Sequence, residues 1–400
     1  MSVFAELSNL VRWKMCIHCM ANPAHGSPNG RNSLMALTVE LSAVVVVMRN
    51  MRSSVGHEFD GGAERLPSWA IVGAGGIGLT FATMLCESGH KVYLVCRPWQ
   101  RDALESEGAF VTGLFGEHHS NPIVVDDVGE LKEEVEIYGV ATKAYDTATV
   151  GSALANVIRH SAIVVSLQNG LGNVETLMEL LPHCRVLGAR IIFGAERIGA
   201  NRAKVTVCAD DVVIAPLGKR EWVDDAEFVT ASCVSAGIPC RSDSDIAPWL
   251  WDKVLYNAAL NPLGALLNMT YGELADDELT RSVMNAIIDE AFAVANSCGA
   301  PLRWRDADEY KRHFYEKLVP PTKAHRASML QDLQAGKRTE IDALNGAIAR
   351  LGKQCGIRTP LNDAVTSLIR RRERGEMLDA QRVRSELESI LGELGLLRRK

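Results

Sequence analysis

Trp69-Ala70-Ile71-Val72-Gly73-Ala74-Gly75-Gly76-Ile77-Gly78-Leu79 is the stretch on which the fold turns. A short apolar run stops at three spaced glycines and passes into helical periodicity over 79–88. The order is strand, glycine turn, helix. In a G-x-G-x-x-G turn the first glycine permits a tight bend, the second lets the backbone approach a pyrophosphate, and the third lets helix pack closely on strand. Gly89-His90 then ends the helix and Lys91-Val92-Tyr93-Leu94-Val95-Cys96 supplies a second β-rich run, completing a βαβ unit. A glycine-rich structural turn is the plain alternative. The strand and helix on either side favour a dinucleotide cradle formed by Gly73, Ala74, Gly75, Gly76, Ile77 and Gly78.

The end of the second strand bears on which dinucleotide is held, because a carboxylate there accepts hydrogen bonds from the ribose 2′-hydroxyl of NAD. This chain reads Cys96-Arg97-Pro98 instead. A guanidinium offers a planar fork of donors suited to a 2′-phosphate, so NADPH is the expected cofactor and Arg97 its discriminating contact. An ordinary surface arginine is the competing reading.

Outward from this unit the alternation continues, with strands over 137–141 and 162–167 and helices over 147–158 and 174–181. β-rich pieces over 186–193, 204–207 and 212–215 are expected to finish the same sheet with antiparallel members. After Pro248 helical periodicity dominates, over 249–260, 279–298, 339–355 and 361–371. The expected fold is therefore an α/β Rossmann-type dinucleotide-binding domain followed by an all-α C-terminal domain. The expected boundaries are 67–246 for the first, 247–373 for a helical substrate and dimerisation domain, and 374–400 for an amphipathic helical tail.

Residues 1–66 mix Asn, Gly, Pro, Arg and Met and read as a poorly ordered extension or an upstream start choice. The apolar stretch 34–48 carries Glu40 and is shorter than the roughly 20 residues that cross a bilayer, so no membrane anchor is expected. Cys16 and Cys19 form half of a zinc-type motif, and no second CxxC follows, so no metal is expected. A formal charge of −6 over 400 residues argues for a small-molecule ligand rather than nucleic acid. Ten irregularly spaced cysteines suggest no disulfide framework and favour the cytoplasm.

Lys143 and Asn169 each follow an apolar strand, at the carboxyl edge where open α/β sheets bind ligands. A solvated lysine and an Asn-Gly turn are their ordinary readings, and position promotes them. Farther along, Lys253, Asn257 and Asn261 recur at i+4 on one face of an otherwise apolar helix. If that helix is buried, the row needs partners such as a carboxylate ligand. Ser328-Met329-Leu330-Gln331-Asp332 and Thr339-Glu340-Ile341-Asp342 complete the set, with Thr339 expected to cap a helix that Glu340 begins.

Together with Lys143-Ala144, Gln168-Asn169-Gly170, residues 251–262 and Gly272-Glu273-Leu274, these motifs resemble the ketopantoate reductase family over roughly 70–373. The resemblance implies NADPH-dependent reduction of 2-dehydropantoate, in pantothenate biosynthesis, in a cleft between the two domains. It implies that Lys253 is the general acid and that Glu340 engages the lysine and the substrate. It places Lys143 and Asn169 beside the nicotinamide ribose, Asn169 also facing the substrate, and Asn257, Asn261 and Ser328 on the substrate's hydroxyl and carboxylate. It also makes a homodimer through the helical half plausible. Two features depart from the family pattern: the long leading segment, and Tyr271, where members can present an asparagine to the substrate. A paralogue acting on another 2-oxo acid and a catalytically silent NADPH-binding module are the competing readings.

Overall fold

A computed structural model describes residues 65–131 and 134–396. Cys16, Cys19, the apolar stretch 34–48 and nearly all of the expected N-terminal extension lie outside the described residues.

β1 (Trp69–Val72), α1 (Gly76–Glu87) and β2 (Val92–Val95) form the βαβ unit read from the glycine motif. α2 (Pro98–Glu107), β3 (Ala109–Gly113), β4 (His118–Ser120), β5 (Ile123–Val125) and β6 (Ile137–Val140) follow. After these come α3 (Thr147–Val157), β7 (Ile163–Ser166), α4 (Asn173–Leu180), β8 (Arg185–Arg190), β9 (Phe193–Arg197), β10 (Arg202–Cys208), β11 (Val212–Pro216), α5 (Val223–Ser235) and β12 (Cys240–Ser242). The main sheet has the order β12-β11-β8-β7-β6-β1-β2-β5, parallel throughout except where β11 runs against β8. Its central strands are buried on both faces, as a helix-covered parallel sheet requires. Trp69 and Ile71 enter one core while Ala70 and Val72 enter the other.

The expectation that residues 186–215 all finish this sheet is corrected. β8 and β11 do so, whereas β9 and β10 join β3 and β4 in a separate four-stranded sheet, β4-β3-β10-β9. This second sheet packs on α1, with Phe193 stacked against Phe81 at 6.2 Å and edge-on to Phe115 at 5.0 Å. In β10, Ala203 and Val205 are buried while Arg202 and Lys204 are exposed, the alternation of a sheet with one wet face.

From residue 247 the chain is helical: α6 (Ala247–Leu267), α7 (Tyr271–Asp276), α8 (Glu278–Ser297), α9 (Ala307–His313), α10 (Ser328–Gln334), α11 (Asn345–Cys355), α12 (Pro360–Glu373) and α13 (Ala380–Glu393). One core runs without interruption from a face of the main sheet into these helices. α6 continues past the expected end at 260 and through Pro262. Proline has no N–H for the carbonyl four residues back, and that acceptor, Ala258, receives the Asn345 side-chain amide at 3.0 Å instead. An unpartnered buried carbonyl would cost about 1–3 kcal/mol. The expected helix over 339–355 is likewise corrected: a 3-10 turn at Ile341–Ala343 precedes α11, so Glu340 lies in a loop.

α13 buries Val383, Leu387 and Leu391 against the helical core, so the amphipathic tail is packed on one side. Among the described residues one disulfide, Cys298–Cys355, links the residues at the C-terminal ends of α8 and α11. Cysteine spacing gave no reason to expect this link, and such bonds are rare in reducing compartments. Among the described residues no helix is long and apolar enough to cross a membrane.

Candidate active site

The glycine loop joins β1 to α1, and its tightness has a measurable cause. A Cβ on Gly78 would lie 1.8 Å from the Gly73 carbonyl oxygen, and one on Gly76 would lie 2.0 Å from that of Ala195. Gly75 differs, since a Cβ there would meet nothing within 4 Å. Internal packing therefore demands glycine at 76 and 78, whereas the space over Gly75 is open for a ligand to approach the backbone. Gly75 is also the N-cap of α1 and has no side-chain cap, so the first-turn N–H groups face that space without a protein acceptor of this kind. Ile77 packs on the core beneath, and the Ala74 carbonyl accepts from Gln100 Nε2 at 2.9 Å, which holds the loop against α2. Arg97 is exposed at the end of β2, with Pro98 opening α2 behind it. The cradle fits a dinucleotide.

Lys143 follows β6 and Asn169 follows β7, so both stand at the carboxyl edge of the sheet. The Asn169 turn is held from within: Asn173 donates to the Asn169 carbonyl at 2.9 Å, and Gln168 donates to Thr147 Oγ1 at 2.8 Å. Against this edge lies the loop bearing Glu340. Its carboxylate accepts from the Ala144 backbone N–H at 3.1 Å and from Asn169 Nδ2 at 3.4 Å. Thr339 does not cap a helix here; its hydroxyl accepts from the Ile341 N–H at 3.3 Å and shapes the loop that presents Glu340.

The half-buried Lys253 crosses to the sheet from α6. Its ammonium donates to Asn169 Oδ1 at 2.6 Å and to the Ile191 carbonyl. One amide therefore sits between a cation and an anion, with oxygen toward Lys253 and nitrogen toward Glu340. Burial pushes the Lys253 ammonium down to about 8; Glu340 opposes the shift and the buried Arg190 guanidinium adds to it. Arg190 ends β8, is paired with Asp210 at 2.7 Å and lies over the Trp249 ring. Lys143 contrasts with Lys253. Burial again disfavours its charge, but Glu340 and Asp332, 3.6 and 2.8 Å away, outweigh burial and hold the ammonium above its ordinary range.

Asn257, Asn261, Ser328, Met329, Asp332 and Leu344 close a narrow cleft together with Asn169 and Glu340. The residues singled out from sequence at 169, 257, 261, 328 and 340 thus share one wall system, and Lys253 is bonded to it through Asn169. The glycine loop and Arg97 form the separate cradle on the β1–α1–β2 unit. Sequence reasoning missed the partnering of Asp332 with Lys143, the Ile191 carbonyl, and the charge of Arg190. Asp332 had a readable signal, being four residues after Ser328 on one helix face. The other two depend on how β8 meets α6, for which no local pattern exists.

Comparison with known proteins finds matches in both halves of the chain. Residues 69–219 match the family model described as ketopantoate reductase PanE/ApbA, and residues 245–373 match its C-terminal model. The chain is 39% identical over 307 residues to the 2-dehydropantoate 2-reductase of Aquifex aeolicus, covering 76% of this chain and 96% of that one. It is 33% identical over 306 residues to that of Archaeoglobus fulgidus, covering 76% and 97%. Among solved structures, a PanE/ApbA family ketopantoate reductase from Ralstonia eutropha JMP134 is similar with a TM-score of 0.69 and 30% identity, over 77% of this chain and 99% of that one. D-mandelate dehydrogenase, in a ternary structure with NADH and anilino(oxo)acetate, also reaches 0.69, at 25% identity over the same shares. With family models matched in both halves and relatives at 39% and 33% identity over most of their length, the chain belongs to the ketopantoate reductase family.

Proposed function

We propose that the chain reduces 2-dehydropantoate to pantoate with NADPH, Lys253 donating the proton. The observation that carries this reading is the state of the Lys253 ammonium. It has three N–H donors, of which Asn169 and Ile191 take two, leaving one for a carbonyl oxygen. Its lowered pKa near 8 makes it a better acid at neutral pH than an ordinary lysine.

A bound nicotinamide dinucleotide supplies the hydride to the ketone carbon. Negative charge develops on the ketone oxygen as the hydride arrives, and the Lys253 ammonium stabilises it by hydrogen bonding and then protonates it. Glu340 favours the charged lysine and, through Asn169, fixes where it points. Asn257, Asn261 and Ser328 supply neutral donors to the substrate's carboxylate and hydroxyl, which holds the carbonyl in line. Lys143 offsets the negative charge that Asp332 and Glu340 bring to the cleft. Gly73, Ala74, Gly75, Gly76, Ile77 and Gly78 would cradle the pyrophosphate, Arg97 would take the 2′-phosphate, and Lys143 and Asn169 would meet the nicotinamide ribose.

The test is oxidation of NADPH with ketopantoate, run beside NADH and a panel of other 2-oxo acids. Preference for ketopantoate and NADPH supports the reading; failure to oxidise either cofactor with any acid overturns it in favour of a silent binding module. A second reading, a paralogue for another 2-oxo acid, is favoured by the likeness to D-mandelate dehydrogenase, and preference for an aromatic 2-oxo acid would establish it. The family resemblance also implies a cytoplasmic homodimer paired through the helical half. Light scattering on the eluted protein reads its mass.

A further inference from the structure

Tyr271 opens α7 and its backbone N–H donates to the His325 carbonyl at 3.1 Å, which ties it to the segment leading into Ser328. Its ring is buried and edge-on to Tyr256 at 5.9 Å, with His325 at 5.1 Å on another side. From this fixed position the phenol donates to Asn261 Oδ1 at 2.7 Å. Burial pushes the phenol above its ordinary range, so the oxygen keeps its proton and stays a donor. Asn261 is itself 7% exposed and lines the cleft.

A side-chain amide has an acceptor end and a donor end, and whichever end is engaged decides what the other offers. With Oδ1 engaged by Tyr271, the two N–H groups of Asn261 are the ones left for a ligand. The reverse orientation would aim a carbonyl oxygen at a bound carboxylate, in a cleft that already contains Asp332 and Glu340. We propose that Tyr271 is a positioning residue that commits Asn261 to donating, and so sets the affinity of the cleft for the carboxylate of a 2-oxo acid. This rests on the reading that the cleft takes such an acid.

Tyr271→Phe removes the hydroxyl and keeps the ring. The KM for the accepted 2-oxo acid is expected to rise about tenfold with kcat within about twofold, because one orienting hydrogen bond to a binding group is lost. Asn261→Ala raises KM as well, and the double variant is expected to be no worse than Asn261→Ala alone. Tyr256→Phe is the control, since it loses a hydroxyl from the same aromatic cluster, bonded to Thr322 at 2.8 Å and not to Asn261. Its KM should stay within about twofold of the parent. Losses that multiply in the double variant, or an unchanged KM in Tyr271→Phe, overturn the proposal. Oxamate binding to the enzyme with dinucleotide, followed by calorimetry, separates the two ideas. If no acid is reduced but oxamate still binds about tenfold more weakly to Tyr271→Phe, the reductase reading falls and the positioning role stands. If turnover is normal and oxamate binds both proteins alike, the positioning role falls alone.

Discussion

Replacing Glu340 by glutamine removes one negative charge near Lys253 and keeps the shape of the loop. Asn169 is bonded to Lys253 at 2.6 Å and to Glu340 at 3.4 Å, so with the width of one amide the two charges lie no more than about 8 Å apart. At an effective dielectric of about 20 their attraction is then about 2 kcal/mol, or about 1.5 pKa units. Removing an anion disfavours the neighbouring cation, so the Lys253 pKa must fall, from about 8 toward roughly 6.5. On the proposed mechanism reduction needs the protonated lysine, so kcat/KM should be level at low pH and decline above the pKa of the free enzyme. The decline is therefore expected to start about 1.5 pH units earlier in Glu340→Gln, costing roughly eightfold at pH 7.5 from protonation alone. Oxidation of pantoate needs the neutral amine and should rise with pH through the same value. The assay is NADPH absorbance across pH 5.5–10 in both directions at fixed ionic strength. A decline that stays where it is, or moves to higher pH, would falsify the assignment of Lys253 as the titrating acid under the influence of Glu340.

Lys253→Ala should lower kcat by several orders of magnitude while dinucleotide affinity, read by fluorescence titration, stays within about threefold, because the proposed role of the lysine is on the reacting oxygen. Near-parental turnover would eliminate that role. Arg97→Ala should weaken NADPH at least about tenfold more than NADH, and equal losses would remove the 2′-phosphate contact. Gly75→Ala and Gly78→Ala should part company. Gly75 already has φ −80° and open space beyond it, so alanine should leave thermal stability within about 1 kcal/mol and weaken the dinucleotide. Gly78→Ala places a methyl 1.8 Å from a backbone oxygen and should cost more than about 3 kcal/mol, visible as a lower melting temperature. Equal melting temperatures for the two variants would contradict the packing account.

Much of this arrangement is legible along the chain because it is local. Strand β1, the glycine turn and α1 are contiguous, and Lys253, Asn257 and Asn261 share a helix face through spacing alone. What escaped was set by distant pairing. β10 pairs parallel to β3 across some ninety residues, so its membership of a second sheet is invisible to a reading that asks only whether a segment is β-rich. The polarity alternation of Arg202-Ala203-Lys204-Val205 was the available hint, since a strand covered on both faces has no reason to alternate. Thr339-Glu340 has the composition of a helix start, and tertiary bonds from Ala144 and Asn169 to the Glu340 carboxylate override it.

The Pro262–Asn345 pairing has a consequence for how such sequences diverge. A chain with an N–H-bearing residue at 262 closes the ladder to Ala258 by itself and releases position 345 from that duty, whereas a chain that keeps the proline must keep a donor there. Asn345 also donates to Asn362 Oδ1 at 3.0 Å, so its loss reaches α12 as well. Positions 262, 345 and 362 should therefore vary as a group, and homologues should be depleted in chains that combine Pro262 with an apolar residue at 345. Because Pro262 follows Asn261 and Asn345 follows Leu344, both of which line the cleft, exchange of that pair, one residue at a time and then together, acts next to the site.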